Sequence, residues 1–326
     1  FLDADRAYVL LAIGRTVEND PAPIAGNGRD AASGRTRANE LLVGAVVAAM
    51  DGRSAATEEL VAEGLGLVHH LVDDVPSARE LLTLSRFIAA ATAGRIVDAT
   101  TIVELELERA GGIPALEGPW LAGAALLRLL EGDMRRAVDI ADQAVAALEH
   151  VDVAGLSSMA AATRAAALAQ AGRPSDAKIA LDSIDPAWRA ETKTLVLAAR
   201  ADAWMLAMAG ANRRAVSHLA DAARQALDAR HAPFALIGAH DVARFGHPSL
   251  ALPVLRRAAE RCDGRLARLM VEHAEALEVG DPDRLLEVAE QLPEVGFRLS
   301  GAEAASTAAD LFDAARRSID AVRARA

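Results

Sequence analysis

The sequence predicts an all-α superhelix of stacked antiparallel helical hairpins, and three observations carry that prediction. First, hydrophobic residues make up 52% of the chain but aromatics only 3%, so alanine and leucine must do most of the packing, which suits closely approaching helices and suits β-sheets badly. Second, Trp120 to Leu148 reads as one hairpin: an apolar helical run, a polar turn at Glu131-Gly132-Asp133 and a second helical run from Arg135. Third, the hairpin recurs. Ala125 lies seven residues before Gly132, Ala137 five after it and Ala144 twelve after it. Ala165 and Ala177 repeat the first two about Gly172; Ala203, Ala215 and Ala222 repeat all three about Gly210, and Ala239, Ala251 and Ala258 do so about Gly246. Gly280 keeps the turn but carries His273, Leu285 and Leu292 at those positions. Small side chains at the repeated points let two helices approach closely. The turn glycines stand 40, 38, 36 and 34 residues apart, the range of two-helix repeats of the tetratricopeptide type.

In chain order, Ala4 to Val17 reads as an amphipathic helix, followed by a breaker-rich connector from Asn19 to Gly28 that is the best candidate for a mobile loop. Glu40 to Met50 and Thr57 to Leu71 pair about Gly52, with Ala45 seven residues before the glycine. Ser77 to Ala93 and Arg95 to Arg109 pair about Gly94, where Phe87 replaces the small residue and Ala99 keeps its place. Residues 1–113 therefore form an N-terminal helical region of eroded repeats, closed by Gly111-Gly112 and Pro114, and residues 114–326 form the regular array. Further helices start at Pro186, Pro233 and Pro253, and the array continues to Pro293 and Gly296. The last pair, Gly301 to Ala324, has no turn glycine, so Asp313 to Ser318 is expected to run through as helix. No stretch reads as a strand. The opening at Phe1 rather than methionine, and the arginine-rich end from Arg316 to Arg325 without a stop signal, predict a piece of a longer chain.

Charge and cysteine content exclude several roles. A net charge of −11 and a pI near 5.3 make this chain a poor partner for phosphate backbones, so no nucleic acid is expected to bind it directly. Cys262 is the only cysteine, which rules out an internal disulfide and a cysteine-based zinc cluster and agrees with a reducing, cytoplasmic setting. The longest apolar run, Leu41 to Met50, is about half of the roughly 20 residues a membrane span needs.

Motifs that carry chemistry are few. Gly28 to Thr36 superficially resembles a phosphate-binding loop, but five residues separate its glycines, arginine stands where lysine is required, and no strand precedes it. His69-His70 point about 100° apart on a helix and read as solvated or capping residues. His240-Asp241 with His247 reads as structural hydrogen bonding. No nucleophile, acid pair, metal set or cofactor fingerprint stands out, and the chain reads as non-enzymatic, with no cofactor.

The repeat register does nominate a surface. In stacked hairpins the first helix of each pair lines the concave side. Residues ten, six and two before each turn glycine then face inward: Arg200, Trp204 and Met208 before Gly210, and Leu236, His240 and Arg244 before Gly246. Neighbouring helices add Leu126 and Leu130, then Met159 and Met270. These side chains either line an apolar groove for a small apolar or amphiphilic effector, with Arg200 or Arg244 to meet an acidic group, or simply fill a tight superhelix.

From Leu195 to its end the sequence resembles the helical-repeat region of large LuxR-type transcriptional regulators of actinobacteria. The resemblance rests on Ala239-His240-Asp241-Val242-Ala243-Arg244-Phe245-Gly246, on Leu285 to Leu292, and on Gly301-Ala302-Glu303-Ala304-Ala305 through Ala315-Arg316-Arg317. It implies an effector-sensing, ligand- or partner-binding regulatory region, here without the ATPase module that precedes the repeats and the DNA-binding helix-turn-helix that follows them. The alternative is a protein-interaction scaffold that docks a partner helix or peptide in its groove. A homodimer is compatible with either.

Overall fold

A computed structural model describes residues 32–68, 78–150, 152 and 155–325. Among these, seventeen α-helices and one 3₁₀ turn account for the regular structure, with no strand. The first hairpins are α1 (Ala32–Met50) with α2 (Ser54–Val68), α3 (Ala78–Ala93) with α4 (Ile96–Ala110), and α5 (Pro114–Glu131) with α6 (Met134–Ala147). Next come α7 (Leu156–Gln170) with α8 (Pro174–Asp182), a short α9 (Pro186–Arg189), α10 (Thr192–Met208) with α11 (Asn212–Asp228), and α12 (Ala232–Arg244) with α13 (Pro248–Ala259). The chain closes with α14 (Arg265–Val279) and α15 (Pro282–Gln291), the 3₁₀ turn Leu292–Val295, and α16 (Arg298–Ala314) with α17 (Ser318–Arg325). The fold is an all-α helical-repeat superhelix, as the sequence predicts.

One turn chemistry builds every hairpin. Gly132 adopts φ +90°, and the N–H of the next residue, Asp133, donates to the Arg128 carbonyl at 2.9 Å. That pattern ends a helix by satisfying its last carbonyls, and it needs a left-handed residue, which glycine supplies without strain. Arg53, Arg95, Arg173, Ala211, His247 and Asp281 make the same bond after Gly52, Gly94, Gly172, Gly210, Gly246 and Gly280, at 2.8–3.2 Å. The alanines flanking Gly132 at seven before, five after and twelve after are all fully buried, and so are those about Gly210 and Gly246.

The final hairpin departs from expectation. Asp313 to Ser318 does not continue as helix: Arg316 takes the left-handed conformation at φ +59°, and Arg317 N–H donates to the Phe312 carbonyl at 2.8 Å. Ala309 and Ala321, seven before and five after Arg316, are fully buried. The register thus persists with an arginine in the glycine's place. Helix starts also move. Helix α1 begins at Ala32, eight residues ahead of the expected Glu40, its first turns anchored by Arg37 bonding Glu63 of α2 at 2.7 Å. Helix α5 reaches back through Pro119 to Pro114, where Ile113 caps it by accepting from Glu117 N–H at 3.0 Å. Pro253 lies inside α13, and Pro248 takes the first-turn position in which a missing N–H has no partner to lose. The Ala4–Val17 helix, the Asn19–Gly28 connector and His69-His70 lie outside the described residues.

The superhelix closes on itself. Asp263, in the loop before α14, accepts Ser54 N–H at 2.8 Å, Ser54 Oγ at 2.6 Å and Ala55 N–H at 2.9 Å, capping α2 from across the molecule. Asp51 beside Gly52 meets Arg230 and Arg261, each at 3.0 Å. The first three turn glycines all rest on the second half: Gly52 on Cys262, Gly94 on Leu266 and Val295, and Gly132 on Leu299. The turns at Gly172, Gly210, Gly246 and Gly280 meet nothing within 4 Å of where a Cβ would stand. Helices α14 and α3 touch directly along this seam.

Candidate functional site

An apolar cavity of about 100 Å³ lies within the superhelix, between helices from α1 to α12. Its walls come from the first helices of the first six hairpins and the residues that start them, among them Val46 and Met50 of α1, Leu84, Phe87 and Ile88 of α3, Leu126 and Leu130 of α5, Met159 of α7, and Phe234 and Ile237 of α12. Gly123 of α5 also faces the cavity, and a Cβ there would stand 2.9 Å from the Phe87 ring, so the glycine makes room for that ring against α5. Phe87 in turn meets Trp120 edge to face, ring centroids 6.4 Å apart.

Five lining side chains are polar, and four have partners. Ser85 Oγ and Thr92 Oγ1 donate back to the Leu81 and Ile88 carbonyls of their own helix at 2.9 and 2.8 Å. Glu191 and Lys193, both buried where α10 begins, pair at 3.0 Å, and Glu191 also accepts from Thr194 N–H at 3.3 Å. The fifth is His231 at the start of α12. It is 5% exposed, and its Nδ1 has no hydrogen-bond partner among the described residues. Burial pulls the His231 pKa down to about 4, so the ring is neutral at physiological pH.

Of the residues nominated by the repeat register, Leu126, Leu130 and Met159 line this cavity. The others gather beyond it, around a polar knot on α10, α12, α14 and α16. Arg200 is 4% exposed, and its Nε lies 2.6 Å from Asp241 Oδ2, close but too poorly aligned for a hydrogen bond. Arg244 bonds Asp241 on its own helix and grips Glu303 of α16 through two bonds at 2.6 and 2.8 Å. Burial opposes the Arg244 charge, but Asp241 and Glu303 override it and hold the pKa above the ordinary arginine value; Arg200, with weaker compensation, is lowered by its burial. His240 meets His273 at 2.9 Å between ring nitrogens and stacks edge-on with Phe297. Burial drives both imidazole pKa values down, His273 to about 4, so both rings are neutral.

Trp204 is partly buried, tilted against Phe245 at 5.0 Å, with the Arg244 guanidinium 5.7 Å from its ring centre. Met208 is 50% exposed at the end of α10, while Leu236 and Met270 are fully buried in the core. The stripe Arg200–Trp204–Met208 therefore runs from interior to surface; Arg200 has Asp241 as its counter-ion, and Arg244 on α12 is held by Asp241 and Glu303.

Sequence reasoning missed the cavity's other walls, and the signal for them was present. Met50 and Val46 stand two and six before Gly52; Thr92, Ile88 and Leu84 stand two, six and ten before Gly94. All five line the cavity. Among the described residues no group of three or more His, Cys, Asp or Glu side chains is placed to hold a metal ion, and no helix is long and apolar enough to cross a membrane. The chain matches no protein-family model, and a search of the curated proteins returns no match.

Proposed function

We propose that this chain is the effector-sensing region of a LuxR-type transcriptional regulator, and that a small apolar effector binds in the cavity walled by Leu126, Leu130 and Met159. One observation carries the reading: the first helices of six successive hairpins contribute walls to one largely apolar space. A ligand there is enclosed by helices of six hairpins at once, so occupancy stabilises that arrangement over any in which the helices separate. Control of transcription follows the resemblance of the second half, with DNA contact made by a separate module. The acidic balance of −11 agrees with a sensing rather than a DNA-contacting part.

The scaffold reading has less support. A helix is about 10 Å across with its side chains, and a space of about 100 Å³ does not hold one. The test is binding of benzene and of n-pentane to the purified chain, followed by saturation-transfer NMR. Both should bind, and Met159→Phe, which fills the space, should abolish the signal. Absence of binding by either compound, or equal signals from the filled variant, would overturn the proposal in favour of a docking scaffold.

A further inference from the structure

Resting on the cavity reading above, we propose that the effector is an uncharged small molecule with an apolar body and one hydrogen-bonding group, and that His231 is the residue that recognises that group. The polar inventory of the wall leads there by elimination. The Ser85 and Thr92 hydroxyls donate their only protons to their own helix, so they can accept a hydrogen bond but not supply one, and neither is left without a partner. Glu191 and Lys193 neutralise each other at 3.0 Å. A carboxylate entering the cavity meets Glu191 with Lys193 already paired, and an ammonium meets Lys193 with Glu191 already paired. Either charge loses its water without gaining a counter-ion of its own, which is strongly unfavourable in an apolar enclosure.

His231 Nδ1 is the exception. It belongs to a cavity-lining side chain, is buried, and has no hydrogen-bond partner among the described residues. A buried polar atom left without a partner is costly, so a ligand that supplies one gains that energy back on binding. The neutral ring offers Nδ1 as donor or acceptor according to its tautomer, which suits a hydroxyl, a carbonyl or an amide. The imidazole has no competing local duty, because it makes no side-chain cap on α12. Arg200 and Arg244 do not line the cavity, and each already has a counter-ion, Asp241 for Arg200 and Asp241 with Glu303 for Arg244.

Size narrows the class. A cavity of roughly 150 Å³ takes benzene, so the 100 Å³ here suits a ligand of about four to six non-hydrogen atoms. The experiment compares four probes of one shape on the full chain, by saturation-transfer NMR with titration: 1-butanol, butanoate at pH 7.5, n-butylammonium at pH 7.5, and 1-chlorobutane, which lacks a strong hydrogen-bonding group. Butanol should bind at least about tenfold more tightly than either ion, and roughly three- to tenfold more tightly than chlorobutane. His231→Phe should erase the preference for butanol over chlorobutane, and His231→Asn, which keeps a donor and an acceptor near the Nδ1 position, should retain part of it. Because the four probes are ranked on the unaltered protein, the result does not depend on either variant folding. An ion that binds as well as butanol, or butanol and chlorobutane binding equally to the unaltered chain, overturns this inference and leaves the cavity reading standing. Failure of all four probes to bind overturns both.

Discussion

Acidification should loosen this protein through its buried histidines, and the size of the effect follows from their surroundings. His273 lies against His240 and Arg244, and its pKa sits at about 4 against an ordinary 6.5; His231 is displaced to about 4 as well. A histidine depressed in the native state binds its proton more readily once the chain unfolds, so stability falls as pH drops below about 6.5 and continues to fall until about 4. A displacement of that size makes the native state about 2 kcal/mol less stable at pH 5 than at pH 7.5, for His273 and for His231 alike. His240 acts in the same direction. His218, raised by its bond to Asp202 and half-exposed, acts in the opposite one. Asp263, held below its ordinary value of 3.8 by its bonds to Ser54 and Ala55, loses its contribution only below that pH and leaves the window to the histidines. The decisive variant is His240→Leu with His273→Leu, which replaces both partners of the buried pair by apolar groups of similar size. Urea unfolding followed by circular dichroism at pH 7.5, 6.5, 5.5 and 5.0 should show wild type losing stability steadily, and the double variant losing at least about 2 kcal/mol less over the same range, the share of His273 alone. A wild-type midpoint that is flat or rises toward pH 5, or a double variant with the full wild-type slope, would refute the assignment of neutral, buried imidazoles.

Two further outcomes separate the repeat from its closure. Gly172→Ala should cost about 1–2 kcal/mol for a left-handed backbone at φ +76°, whereas Gly52→Ala should cost more, because its Cβ would stand 2.3 Å from Cys262 Sγ; equal urea midpoints for the two would remove the seam. Ala203→Leu or Ala239→Leu should each overpack a fully buried helix contact by about 1–3 kcal/mol, while Arg213→Leu on the exposed face of α11 should change stability by no more than about 0.5 kcal/mol; equal melting temperatures for the three would undo the register.

The hairpins were legible because their determinants are local. A glycine that must be left-handed and alanines that must be small leave their mark at fixed sequence offsets, and even Gly52 and Gly94, in hairpins that read as eroded, adopt φ +84°. Arg316 escaped notice because its turn carries no glycine; the buried Ala309 and Ala321 held the same information. The site was legible only in part. Leu126 and Leu130, at register positions, and Met159, thirteen before Gly172, line the cavity, but the register assigns direction along a helix and is silent on what stands opposite. Glu303 lies 59 residues from Arg244, and Asp263 lies 209 from Ser54. No periodicity relates such pairs, so whether an inward side chain meets open space or another helix is decided by superhelical closure. His231 falls just ahead of its helix, in a position where the inner-face count had already stopped.

The seam also alters what kind of object this repeat protein is. An open array behaves as a row of units, each sensing only its neighbours, and can gain or lose a unit at little cost to the remainder. Here the capping of α2 by Asp263 and the meeting of Asp51 with Arg230 and Arg261 turn the row into a hoop. A hoop has a fixed circumference. Duplicating or deleting a hairpin between Gly132 and Gly246 would carry Asp263 away from Ser54 and strip Gly52, Gly94 and Gly132 of the surfaces they rest on. The unit count of this stretch is therefore held by geometry rather than by any one side chain, and tandem duplication, the ordinary route by which repeat proteins lengthen, is closed to it.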